Sequence, residues 1–126
     1  MKTYHSWLEI GSGKIITQPM QRVLCENFVK KIKGKIVFEL GEDVEFSSSN
    51  LQFRKMVSSK INVTGFIFLG LEQFILNKKL DLDLIKNVIK KKYELHFIRQ
   101  NFSIKNYKDY KNNLKNLLLF NDLNKK

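Results

Sequence analysis

Few residues in this 126-residue chain have the chemistry to act on a ligand, and most of them follow short apolar runs. Glu42 comes just after "KIVFEL", and Glu72 with Gln73 closes "GFIFLGL". Two carboxylates after the second and third strands could meet across a pocket in the arrangement that acid–base chemistry uses, with two solvated loop acids as the plain alternative. Gln18 and Gln21 lie in "TQPMQRVLCENF", and Gln73, Gln100 and Asn101 add further amides, which both donate and accept. Such a set suits hydroxyl-rich or amide ligands.

Other reactive residue types are scarce. Cys25 is the single cysteine, so no disulfide can form within the chain. It falls mid-helix with no histidine neighbour and reads as a buried, inert thiol. His5 and His96 are flanked by apolar strand residues, and His96 reads as a satisfied core histidine. A zinc site would need distant carboxylates, so neither a metal nor a cofactor is expected. "GSG" at 11–13 lacks the third glycine of a dinucleotide fingerprint and reads as a flexible turn.

The elements that must hold these residues alternate in periodicity. "TYHSWLEI" (3–10) reads as a strand, followed by a helix capped by Thr17, with Pro19 in its first turn and Gly34 at its end. Met20, Val23, Leu24, Phe28 and Ile32 mark its expected inner face. "KIVFEL" (35–40) is the second strand, broken by Gly41, and a short helix starts near Ser48 or Ser49. The third strand covers 65–71, the third helix 80–92 and the fourth strand 93–98. Tyr107, Tyr110, Leu114, Leu117 and Leu118 define one terminal helix, whose spacing makes the two tyrosines core or groove-covering rather than stacking platforms.

Strands alternating with helices imply a parallel sheet with helices on both faces. The expected fold is a three-layer α/β sandwich, residues 1–126 as one domain, with a four-stranded parallel sheet in the order 2-1-3-4. Ligands on such sheets bind beyond the carboxyl ends of the strands. Glu42, Glu72, Gln73 and Gln100 belong to those ends, and Gln18 and Gln21 open the helix that starts there. Polar groups beyond strand ends carry little packing, so Gln21 and Gln73 are expected to be free for a ligand.

The formal charge of +11 raises the question of nucleic acid. Of the 23 basic residues only Arg22, Arg54 and Arg99 are arginine, the residue that base reading and phosphate clamping favour. Lysine also rises with AT-rich codon usage, and charge runs are usually solvated helix faces. Nucleic acid is therefore not the expected partner. No window reaches the roughly 20 apolar residues of a membrane span, and the N-terminus has no signal-peptide stretch. A lone cysteine in such a chain points to the cytoplasm.

From about residue 15 to residue 101 the chain resembles the sporadic carbohydrate cluster protein family, short bacterial proteins encoded among genes for surface polysaccharide and lipopolysaccharide synthesis. The family's Gln-x-x-Gln pair is matched by Gln18 and Gln21, its acid after the second strand by Glu42, its Gly and Gln around the third strand by Gly65 and Gln73, and its His-Phe pair by His96 and Phe97. Thr17, Gly70, Ile75 and Gln100 depart from its usual residues, and its arginine after the first strand has no counterpart. The resemblance implies a sugar or sugar-nucleotide ligand held by Gln18, Gln21, Gln73 and His96, with Glu42 as the acid–base group if there is catalysis. The alternatives are a non-catalytic partner of a larger glycan enzyme and, behind it, a nucleic-acid-binding, recombinase-like domain using the lysine-rich second half of the chain, and a homodimer stays open. The topology is also similar to the catalytic domain of serine recombinases, but Ser6 has no arginine cluster to support strand cleavage.

Overall fold

Nine residues of β1 (Lys2–Ile10) run through the middle of the sheet, and Tyr4 to Glu9 are all buried. The structure, a computed structural model, describes residues 1–10, 16–43, 51–76 and 78–124. The "GSG" turn and the Ser48/Ser49 helix start lie outside the described residues. After β1 come α1 (Gln18–Lys31), β2 (Gly34–Asp43), α2 (Leu51–Ser58) and β3 (Gly65–Phe68). A 3-10 turn (Leu71–Phe74) leads into the small hairpin β4 (Ile75–Leu76) and β5 (Lys79–Leu80). Then follow α3 (Leu82–Lys90), β6 (Glu94–Phe97), β7 (Phe102–Ile104), α4 (Tyr107–Asn112) and α5 (Leu114–Asn124).

The chain is α/β, with a mostly parallel sheet in the order β2-β1-β3-β6-β7. The expected four strands are corrected by a fifth, since β7 turns back to pair antiparallel with β6. Three residues are too few to show a period in sequence, so β7 was not legible. Alternation divides the strands between two cores. Trp7, Phe66, Phe68 and Phe97 face Phe53 of α2, the α3 residues Ile85 and Val88, Tyr110 and Leu117. Tyr4, Leu8, Ile67 and Leu69 face Cys25 and Val29 of α1. Phe53 makes edge contacts of 5.0–5.6 Å with Trp7, Phe66, Phe68 and Phe74, the arrangement aromatic quadrupoles prefer.

Several boundaries differ from the sequence reading. The buried stripe of α1 is Gln21, Cys25 and Val29, while Met20 and Val23 are half exposed. The helix is rotated by one position because Gln21 turns inward to bond β1. Gly41 does not break β2, which pairs with β1 as far as Asp43. Gly34 opens β2 rather than ending α1, and Lys33 takes the left-handed position at φ 57°. β3 stops at Phe68, and residues 71–74 form the 3-10 turn in place of the expected strand end. The terminal helix is two helices, because Asn113 caps α4 and turns its Nδ2 onto Asp109 O at 2.8 Å.

Gly65 permits the closest approach between β3 and β6. A Cβ there would press on the Glu94 carbonyl and sit 2.7 Å from the Glu94 Cβ. Gly65→Ala should therefore destabilise the fold by about 1–3 kcal/mol, through overpacking against backbone that cannot move alone. A lowered urea midpoint with an unchanged denaturant slope is the expected reading.

Candidate functional site at the carboxyl edge of the sheet

β1 delivers Glu9 to the carboxyl edge, with its side chain almost fully buried. A carboxylate this deep must be paired, and its partner comes from the chain leaving β6. Arg99 donates through Nη2 to Glu9 Oε1 and through Nη1 to Oε2 at 3.3 Å. The same Nη1 reaches Glu72 Oε2 at 2.9 Å, in the 3-10 turn after β3. Burial acts to lower the Arg99 pKa, but Glu9 and Glu72 outweigh it and the guanidinium is held charged. Gln100 completes the chain of contacts, donating to Glu72 Oε1 and accepting from Leu71 N–H at 3.0 Å. Two carboxylates thus share one guanidinium, and Glu72 keeps about a third of its side chain in solvent.

The sequence-derived site residues fall into three groups. Gln21 and Gln73 reach the edge but spend their amides on backbone. Gln21 accepts from Glu9 N–H at 2.7 Å and donates to Glu9 O at 2.8 Å and Ile16 O at 3.0 Å. Gln73 accepts from Leu69 N–H at 2.7 Å and Gly70 N–H at 3.3 Å, and donates to Trp7 O at 3.2 Å. The expectation that they carry little of the fold is corrected: they complete the ends of β1 and β3. Gln18 opens α1 with a half-buried side chain.

Glu42 faces Glu9 across the β1–β2 register. Its Oε1 accepts from the backbone N–H groups of Gln52 at 2.6 Å and Phe53 at 3.2 Å, so it holds the start of α2. The edge carboxylates bridged by a common side chain are Glu9 and Glu72, rather than the expected pair of Glu42 and Glu72.

His96 belongs to a different place. It is buried and opposite Ile67 in the sheet, and its bonds run toward the amino edge. Its Nε2 lies 2.9 Å from Glu94 Oε1 and its Nδ1 lies 2.7 Å from Ser103 Oγ. The Glu94 carboxylate only accepts, which assigns the proton to Nε2 and leaves Nδ1 to accept the Ser103 hydroxyl. Tyr4 O–H and Lys2 Nζ also donate to Glu94, at 2.9 and 3.0 Å. Burial lowers the His96 pKa, partly offset by Glu94. Burial works to raise that of Glu94, but the bonds from His96, Lys2 and Tyr4 overcome it and hold the carboxylate low. Cys25 is buried, and burial pushes its thiol up to about 12.

Arg99 is the site residue that sequence reasoning missed. One signal could have found it: a guanidinium directly after a buried strand, in a chain whose basic residues are otherwise nearly all lysine. Among the described residues no cluster of His, Cys, Asp or Glu could hold a metal ion, and no helix is long and apolar enough to cross a membrane. Comparison with family models, with curated proteins and with solved structures finds no match for this chain.

Two predictions come from these bonds. Gln21→Ala would leave a buried N–H and a buried C=O of Glu9 without partners, a cost of about 2–4 kcal/mol in urea unfolding. The second concerns pH. His96 and Glu94 both titrate lower in the folded protein than in the unfolded chain, so the unfolded state binds more protons as pH falls. Stability should decline below the ordinary histidine value of 6.5 and decline further below the ordinary glutamate value of 4.5. In His96→Gln the loss between about pH 7 and pH 5.5 should shrink, as read from urea midpoints across that range.

Proposed function

We propose that this chain is a small α/β protein of cell-surface carbohydrate biosynthesis that binds a sugar ring at the carboxyl edge of its sheet. One observation carries the binding part. A cleft of about 240 Å³ lined by Leu71, Gln100, Phe102, Leu117 and Phe120 opens beside the Glu72–Gln100 bond. A sugar presents C–H groups on its faces and hydroxyls around its rim. Phe102 and Phe120 offer apolar surface to the faces, while Gln100 and Asn116 offer amides to the hydroxyls.

Size and charge narrow the ligand. The cleft is smaller than the roughly 300–1,000 Å³ of pockets for drug-sized molecules, which favours one ring over a complete sugar nucleotide. Glu9 and Glu72 meet Arg99 at this edge and Glu42 lies opposite Glu9, an acid-rich field that repels a diphosphate. The biosynthetic setting rests on the resemblance carried by Gln18, Gln21, Glu42, Gln73 and His96. Binding rather than bond-making is the reading, since Glu42, the expected acid–base group, has its Oε1 engaged by the backbone of α2. A sugar-binding partner of a larger glycan enzyme fits the same geometry.

Saturation-transfer NMR against a panel of hexoses, hexosamines and uronic acids tests it. At least one saccharide should bind wild type, and Phe120→Ala and Gln100→Ala should each weaken it about tenfold, or about 1.4 kcal/mol. Binding by neither wild type nor variants, or equal binding by all three, would remove the cleft from consideration.

A further inference from the structure

In a right-handed βαβ chain the helices run opposite to the strands, so their C-termini collect at the amino edge of the sheet. In this protein the collected residues are lysines. The position just past each of the first three helices, where the backbone turns left-handed, is Lys33, Lys60 or Lys92, with φ of 57°, 56° and 70°. Glycine is the usual residue there, because a Cβ strains this conformation. Lys90 and Lys91 precede Lys92, and Lys105 arrives at the same edge after β7.

All of these cations but Lys33 line two clefts that share Lys92. One, of about 560 Å³, is lined by Ile89, Lys90, Lys92, Lys105, Asn106 and Tyr107. The other, of about 400 Å³, has Lys60, Lys91 and Tyr93 around an apolar floor of Ile61 and Val63. Among the described residues no ion pair is made by Lys60, Lys90, Lys91, Lys92 or Lys105. The acids nearby are already engaged: Glu94 by Lys2, Tyr4 and His96, and Asp109 by the backbone N–H of Lys105. Tyr107 is 42% exposed, stacks on the buried Tyr110 at 5.9 Å and has Lys111 Nζ over its ring. The helical spacing that hid Tyr110 left Tyr107 in solvent.

From lysines converging without ion pairs among the described residues, beside an exposed aromatic ring, we infer that the amino edge is a binding track for single-stranded nucleic acid. The track is separate from the sugar cleft, since the two share no lining residue and β6 and β7 run from one to the other. Bases stack on Tyr107 and phosphates lie along the ammonium groups, the combination that serves single strands without reading sequence. Lysine is a point charge rather than a bidentate fork, which fits backbone contact and not base recognition. Two clefts joined through Lys92 hold more than one nucleotide unit. The low arginine content that spoke against nucleic acid in the sequence speaks only against sequence-specific reading.

Fluorescence anisotropy with a labelled 12-nucleotide single strand, its duplex and free ATP, over a salt series, tests the inference. The single strand should bind tightest. Lys90→Gln/Lys92→Gln/Lys105→Gln should weaken it at least tenfold and flatten the log–log salt slope by about 2, near 0.7 per lost contact. An equal charge change elsewhere, Lys78→Gln/Lys79→Gln/Lys115→Gln, should leave affinity within about twofold. Lys92→Gly separates binding from folding: its Tm should rise by a few degrees as the backbone strain is relieved, while affinity falls. Equal loss in both triple variants, preference for the duplex, equal affinity for ATP, or no binding at low salt would each overturn it.

Discussion

The double hydrogen bond between the Gln21 amide and the backbone of Glu9 is the contact on which the carboxyl edge depends. A parallel sheet covered on both faces leaves its strand ends out of reach of water, and their N–H and C=O groups still need partners. Gln21 supplies both for β1, and in doing so sets the rotation of α1. That rotation puts Cys25 and Val29 against the sheet and leaves Met20 and Val23 outside. It also pins Glu9 where Arg99 can reach it. Gln73 does the same work for β3, and its bonds to Leu69, Gly70 and Trp7 turn the chain so that Glu72 faces Arg99.

The order of dependence explains why the edge is both polar and rigid. Glu9 is too buried to stand as a lone charge, so Arg99 is needed by the fold whatever ligand the protein meets. Glu72 and Gln100 sit one bond farther out, where exposure rises and packing falls. Glu72 and Gln100 are thus held from behind by groups that the fold cannot release. The division between inner and outer polar residues is what limits the candidate site to the Glu72–Gln100 side.

The two ends of the sheet carry opposite character for topological reasons. Helix N-termini gather at the carboxyl edge, where Glu42 and Asp81 bond first-turn N–H groups of α2 and α3. Helix C-termini gather at the amino edge, where lysines complement the opposite end of the same dipoles. A chain whose basic excess lies mostly in its second half becomes, once folded, a molecule with one acid-rich edge and one basic edge.

Much of this was legible in the sequence. The unbroken apolar run "GFIFL" requires a strand buried on both faces, and alternating periods require a βαβ order, because no other layering covers such strands. Thr17 marks a helix start by local chemistry alone, and its hydroxyl accepts from the Met20 N–H three residues on. What the sequence could not decide was the partner of each polar side chain. Gln21, Gln73, Glu42 and His96 have the same types whether they face a ligand or a buried backbone group. The choice depends on which atoms lie within 3 Å after the layers close, a property of tertiary packing with no period in the chain. Only the fold determined that Gln21 and Gln73 complete strand ends and that His96 bonds Glu94 and Ser103. Only the fold brought Arg99 between Glu9 and Glu72, residues far apart in sequence that meet because the ends of parallel strands must share one edge.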